Sequence, residues 1–191
     1  IKDSAFFTCY RLKKINVPTS LRTIGASTFM GTEIDSFSLK QVKKIGNMCF
    51  SGSKIKEVYL SKNCRTSSLV FWGSDNLKKA TIEKGVKKIS YGMFCDTALK
   101  TIDIPGSVFQ IGEDAFADCK KLQKVTLHEG IKKVGKNAFY NTSLKEITIP
   151  STVTELGKNA FRWESTEKSS LKKVVIRSKN IKKWGTMVFG A

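Results

Sequence analysis

Apolar positions recur along this chain in a long, fixed phase. Phenylalanine marks it at Phe6, Phe29, Phe50, Phe71, Phe94, Phe116, Phe139, Phe161 and Phe189, at intervals of 23, 21, 21, 23, 22, 23, 22 and 28 residues. The segment from Leu99 reads LKTIDIPGSVFQIGEDAFADC, that from Leu122 LQKVTLHEGIKKVGKNAFYNT, and that from Leu144 LKEITIPSTVTELGKNAFRWE. Slots agree throughout. Glycine follows the second aliphatic pair at Gly25, Gly46, Gly112, Gly135, Gly157 and Gly185, with Ser90 in one unit, and all three prolines (Pro18, Pro105, Pro150) share one slot. Self-similarity at a period of about 20–50 residues is the signature of a stacked repeat.

Within each unit the L-x-x-I-x-I portion alternates, which predicts a short strand with one buried face. Proline at the next slot ends that strand, because it cannot donate to a ladder. A second apolar pair, as in Val108 and Ile111, returns over the core. The repeated glycine is expected to supply a tight turn with positive φ. The phenylalanine then plugs the interior. The slot three residues beyond it (Cys9, Thr32, Ser53, Ser74, Thr97, Cys119, Thr142) calls for a small residue that bonds locally at a turn. One such unit cannot bury its own apolar face, but stacked units can. The expectation is a single elongated α/β solenoid over residues 1–191, with short parallel strands, little helix and a phenylalanine ladder. About eight units at ~4.8 Å per strand would make a rod or arc roughly 40 Å long.

The pattern L-x-x-I-x-I-P-x-x-V-x-x-I-G-x-x-A-F-x-x-C resembles the BspA-type leucine-rich repeat, and the resemblance runs through essentially the whole chain. It implies a right-handed superhelix with a parallel sheet on one side. It also implies a cell-surface or secreted protein that attaches to host proteins or other cells, with no shared catalytic residues to carry over.

Two departures stand out. The segment from Leu60 to Phe71 lacks the I-G pair and is one residue short, which predicts a local irregularity. The unit after Phe161 carries an insertion over about Trp163 to Ser170, expected as a surface loop. Ile1 to Phe6 fits the middle of a unit and the chain closes at Phe189-Gly190-Ala191, so a segment of a longer protein is expected.

Composition narrows the chemistry. The 191 residues are 40% hydrophobic, enough for a sizeable core, and no apolar run approaches the ~20 residues that span a bilayer, so no membrane insertion is expected within this segment. With one histidine, His128, a His-rich metal site is excluded. No nucleophile, base and orienter recur together, so no enzyme, metal or cofactor is expected. GIKKVGKN at 130–137 approaches a phosphate-binding loop, but Asn137 stands where the magnesium-ligating hydroxyl belongs. His128 sits in the proline slot and reads as solvated. The five cysteines are odd in number and lack C-x-x-C spacing. Cys9, Cys49 and Cys119 occupy core-type slots, and Cys9 and Cys119 lie five units apart, so no internal disulfide is expected. Asn141-Thr142-Ser143 is a sequon whose threonine is itself a repeat slot.

The net charge of +18 favours acidic partners. Three rows should face solvent. The first is Asn16, Ser38, Tyr59, Thr81, Asp103, Thr126, Thr148 and Val175; the second is Lys14, Ser36, Glu57, Lys79, Thr101, Lys124, Glu146 and Lys173. From these, Glu57, Tyr59, Lys79, Asp103, Lys124 and Glu146 are the candidate contacts for a protein partner. The third row, on the return segment, is mostly basic: Arg22, Lys43, Arg65, Lys87, Lys132 and Lys182, interrupted by Phe109 and Thr154. Only five of the 34 basic residues are arginine, which favours a hydrated coat over bidentate phosphate reading. The leading expectation is a non-catalytic module that binds another protein, such as a host or cell-surface protein. The alternative is a binder of acidic polymers, sulfated glycans or nucleic acid, through the basic row.

Overall fold

The computed structural model describes residues 1–163 and 170–190, so the expected insertion lies, apart from its ends, outside the described residues. The strands are β1 Thr23–Ile24, β2 Lys44–Ile45, β3 Glu57–Leu60, β4 Arg65–Thr66, β5 Lys79–Ile82, β6 Lys88–Ile89 and β7 Thr101–Ile104. They continue with β8 Gln110–Ile111, β9 Lys124–Leu127, β10 Lys133–Val134, β11 Glu146–Ile149, β12 Glu155–Leu156, β13 Lys173–Ile176 and β14 Lys183–Trp184. Every pairing is parallel. The four-residue strands line one face of a solenoid and the two-residue strands the return face. Strands such as β3 and β7 alternate exposed and buried, as the L-x-x-I-x-I pattern requires. Proline closes the long strands of two turns, and its carbonyl starts the next bend: Val108 N–H donates to Pro105 O at 2.9 Å and Val153 N–H to Pro150 O at 3.2 Å.

The phenylalanines form the expected interior ladder. Successive rings from Phe6 to Phe189 stack with centroids 5.1–5.8 Å apart. Phe29 through Phe161 are buried, whereas Phe6 and Phe189, each with a neighbour on one side only, are half-buried. The small slot after each ring bonds back to it: Thr32, Thr97 and Thr142 hydroxyls donate to the carbonyls of Phe29, Phe94 and Phe139 at 2.8, 2.9 and 3.0 Å.

Several expectations are corrected. The fold is a β-solenoid, not α/β: the described residues contain no helix. The reason is local. The residues two before and two after many of the phenylalanines are left-handed, as at Asp114 (φ 53°) and Asp118 (φ 58°) around Phe116, and a left-handed residue interrupts helical progression. Among the described residues six turns, not eight, carry both strands. In the two N-terminal turns the long-strand segment forms no ladder, and Phe37 fills the slot held by Val58, Ala80, Ile102 or Val125 elsewhere. Its ring leans on Phe29 and Phe50 at 5.2 and 5.3 Å. The repeated glycine does not adopt positive φ. It is required by close approach: a Cβ on Gly135 would stand 2.6 Å from the Glu113 nitrogen and the Gly112 carbonyl carbon of the preceding turn.

The irregularity expected between Leu60 and Phe71 is present. The return face is split into β1-β2-β4 and β6-β8-β10-β12-β14, with no ladder between β4 and β6. Thr66 occupies the aliphatic slot there, and its carbonyl accepts from the Ser90 hydroxyl at 3.1 Å. The long-strand face is interrupted at other places. It consists of the pairs β3-β5, β7-β9 and β11-β13, leaving seams between β5 and β7 and between β9 and β11.

Candidate binding face

Each seam opens a cleft. The first, about 760 Å³, is lined by Thr81 and Ile82 of β5, Asp103 of β7, and Pro105, His128 and Glu129 beyond the strands. The second, about 550 Å³, runs from Lys124 and Thr126 of β9 across Glu146 and Thr148 of β11 to Lys173 and Arg177. His128 and Glu129 belong to both, so the two clefts meet there. A parallel strand exposes alternate side chains, and the seams widen the space between neighbouring rows.

The outward rows lie where the alternation puts them. Register pairs Glu57 with Lys79 and Tyr59 with Thr81, and Asp103 with Thr126. Of the candidate contacts, Asp103, Lys124 and Glu146 line the clefts. Glu57 and Lys79 pair with one another at 3.6 Å outside them. Tyr59 is exposed, and partial desolvation together with the neighbouring Glu83 carboxylate raises its phenol above the ordinary range.

His128 is exposed but not merely solvated: its Nε2 lies 2.6 Å from Asp103 Oδ1 of the preceding turn, with the carboxylate accepting. The clue available in sequence was that both residues fall in outward slots one turn apart. Glu129 was also unmarked. It accepts from Ser151 N–H at 3.1 Å, Ser151 Oγ at 2.8 Å and Thr152 N–H at 3.2 Å, and these donors, the Ser151 N–H foremost, hold its carboxyl below the ordinary value.

On the return face the backbone stacks Lys43 on Arg22 (2.7 Å) and Lys132 on Phe109 (2.9 Å). Arg65 leaves the expected row. β4 pairs Arg65 with Lys44, so Cys64 stands beside Lys43 instead, because the shortened segment shifts the phase by one position. The break between β4 and β6 also separates Lys87 from the N-terminal ladder. Register places Lys44 beside Arg65 before that break and, after it, Lys88, Lys133 and Lys183 in a row interrupted by Gln110 and Glu155, in which Glu155 binds Lys133 at 3.1 Å and Lys183 at 3.2 Å. Among the described residues, Arg22, Lys43, Lys44, Arg65, Lys87 and Lys88 form no ion pair.

The remaining motifs are structural. Residues 130–137 do not cradle an anion: β10 lies inside the segment and no helix follows it. Asn141 is left-handed (φ 56°), its amide donates to Asp118 at 2.6 Å, and Thr142 is buried. All five thiols are free. Cys49 and Cys119 are buried, and burial pushes their pKa values up to about 12 and about 11. Cys9 is exposed rather than core-packed.

The BspA type leucine rich repeat region model matches in six copies, over residues 1–100 and 87–191. A leucine-rich repeat protein from Bacteroides ovatus is 28% identical, with a TM-score of 0.80 over 92% of this chain and 52% of that one. A leucine rich cell surface protein from Faecalibacterium prausnitzii is 26% identical (TM-score 0.54; 73% of this chain, 44% of that one). A leucine-rich repeat protein from Eubacterium ventriosum, 22% identical, shares the fold (TM-score 0.52; 93% and 58%). The chain thus spans about half the length of these structures. No curated protein matches at a significant level. The glycine close approach, the phenylalanine ladder and six family copies together make this chain a member of the BspA-type leucine-rich repeat family.

Proposed function

We propose that the chain is a non-catalytic, protein-binding segment of a cell-surface or secreted adhesive protein, docking its partner on the long-strand face. The carrying observation is the pair of joined clefts at the seams, where Asp103, Lys124, Glu146, Lys173 and Arg177 present both signs of charge across successive turns. Alternating charge specifies one partner and register more than it adds affinity. The cell-surface description of the Faecalibacterium relative supports the location. His128 and Asp103 do not read as a catalytic pair. Neither hydroxyl of their cleft, Thr81 or Ser107, is hydrogen-bonded to the His128 ring, and Ser107 Oγ instead accepts from the Gly85 N–H at 2.8 Å. Capture of surface proteins on immobilised chain, washed at about 0.5 M salt where exposed charges are screened, tests this. The triple variant Asp103→Lys, Lys124→Glu, Glu146→Lys should lose the captured polypeptide. Equal capture by the variant, or elution of everything by salt, defeats the reading.

A second reading, binding of an acidic polymer, draws on the six unpaired cations of the return face. Heparin retention should fall steeply with salt and vanish in the triple variant Lys43→Glu, Arg65→Glu, Lys87→Glu. Retention unchanged by that variant leaves the row a solvated coat.

A further inference from the structure

On the face that carries the phenylalanine turns, the residue after each ring varies in size and exposure: after Phe71, Phe94, Phe116 and Phe139 come an exposed Trp72, a half-buried Cys95, a buried Ala117 and a half-buried Tyr140. Trp72 and Tyr140 therefore stand three turns apart with two small residues between them. The space they enclose is a cavity of about 380 Å³, into which Tyr91, Asp114 and Asp118 also face. In a chain of net charge +18 its lining holds two carboxylates and no lysine or arginine. The adjacent Lys136 is held by Glu113 at 2.9 Å. Asp114 accepts from the Asn137 amide at 2.9 Å and Asp118 from the Asn141 amide at 2.6 Å, which fixes both carboxylates in place and leaves each with acceptor capacity. This cavity is separate from the clefts of the long-strand face and does not depend on the function proposed for them.

The geometry points to a binding site for an alkylated ammonium group, held between the faces of Trp72, Tyr91 and Tyr140 and neutralised by Asp114 and Asp118. Aromatic faces attract cations, most strongly where the cation is poorly hydrated. A fully alkylated ammonium has no N–H groups to satisfy, so walls of carbon cost it little on desolvation. A primary ammonium needs three acceptors, and a hard metal ion needs six or more oxygen ligands, which two carboxylates already bonded to amides do not supply.

Titration with tetramethylammonium, followed through the Trp72 indole N–H signal in a two-dimensional NMR spectrum and assigned with Trp72→Phe, tests the site. Tert-butanol, of similar bulk and neutral, is the control. Tetramethylammonium should move the Trp72 signal saturably while tert-butanol leaves it in place. Trp72→Ala, followed through Tyr140, should weaken binding about tenfold. The double variant Asp114→Asn, Asp118→Asn should weaken it by a similar factor. Asparagine tolerates the left-handed backbone at both positions and preserves the amide hydrogen bonds, so the fold is retained. Equal response to both probes, no response to tetramethylammonium, or unchanged affinity in the double variant overturns the assignment.

Discussion

Phe116 is held between Phe94 at 5.3 Å and Phe139 at 5.1 Å and is fully buried. Phe116→Ala leaves a cavity that neither neighbour can fill without breaking its own stack, so a loss of ~3–5 kcal/mol is expected by denaturant titration. The glycines separate into two classes at this scale. Gly135→Ala drives a methyl into the backbone of the previous turn and should destabilise by more than ~3 kcal/mol or prevent folding, as overpacking against rigid backbone does. Gly52→Ala meets only the Gly31 nitrogen at 4.0 Å, an ordinary contact, and bears its left-handed φ of 62°, about 1–2 kcal/mol. Thiol reagent at neutral pH should modify Cys9 first. It should reach Cys49 and Cys119 only on unfolding, because burial both shields them and holds them as thiols. Rapid native-state labelling of either buried cysteine would contradict the packing described.

At the scale of the element, the strands were legible because alternation reports one buried face directly, as in Glu57–Leu60 and Thr101–Ile104. The phenylalanine ladder was legible because fixed phase and burial go together. Register at the return face was not. One missing residue near Cys64 leaves two alignments open, and only the backbone bonds choose the one that puts Arg65 beside Lys44. The seams were equally hidden, since β5 and β7 carry ordinary strand residues and differ from β7 and β9 only in how the chain settles between them. Trp72, Tyr91 and Tyr140 are scattered in sequence and converge only once the turns stack. The break between β4 and β6 has its own expected behaviour. Ser90→Ala removes the hydroxyl that satisfies the Thr66 carbonyl, costing about 1–3 kcal/mol and accelerating amide exchange around Arg65–Thr66 more than elsewhere. Uniform exchange across the return face in that variant would show that the hydroxyl carries no such role.

Across the described residues, four of the carboxylates that bind donors on an adjacent turn are held below their ordinary values. The Lys56 ammonium lowers the Asp35 carboxyl, the Lys62 N–H lowers Glu83, the Ser151 N–H lowers Glu129, and Lys133 with Lys183 lower Glu155. A depressed folded value means that the stabilisation is fully present above the ordinary carboxylate value. It is lost as pH falls through the folded one, while protonation also adds to the +18. The thermal midpoint should therefore hold near neutrality and drop below about pH 4.5, with Glu129→Gln giving a shallower acid limb. An acid limb as steep as the parent's would remove Glu129 from the account. The interruptions of the two faces fall at different levels of the stack. Where the return face is broken between β4 and β6, β3 is bonded to β5; where the other face is open at β5/β7 and β9/β11, β6-β8 and β10-β12 run across. The joints are staggered as in a brick wall, and the column of rings passes through them all. A crack started at any one joint meets a bonded course directly behind it, so a pull along the stack finds no plane on which the two faces part together.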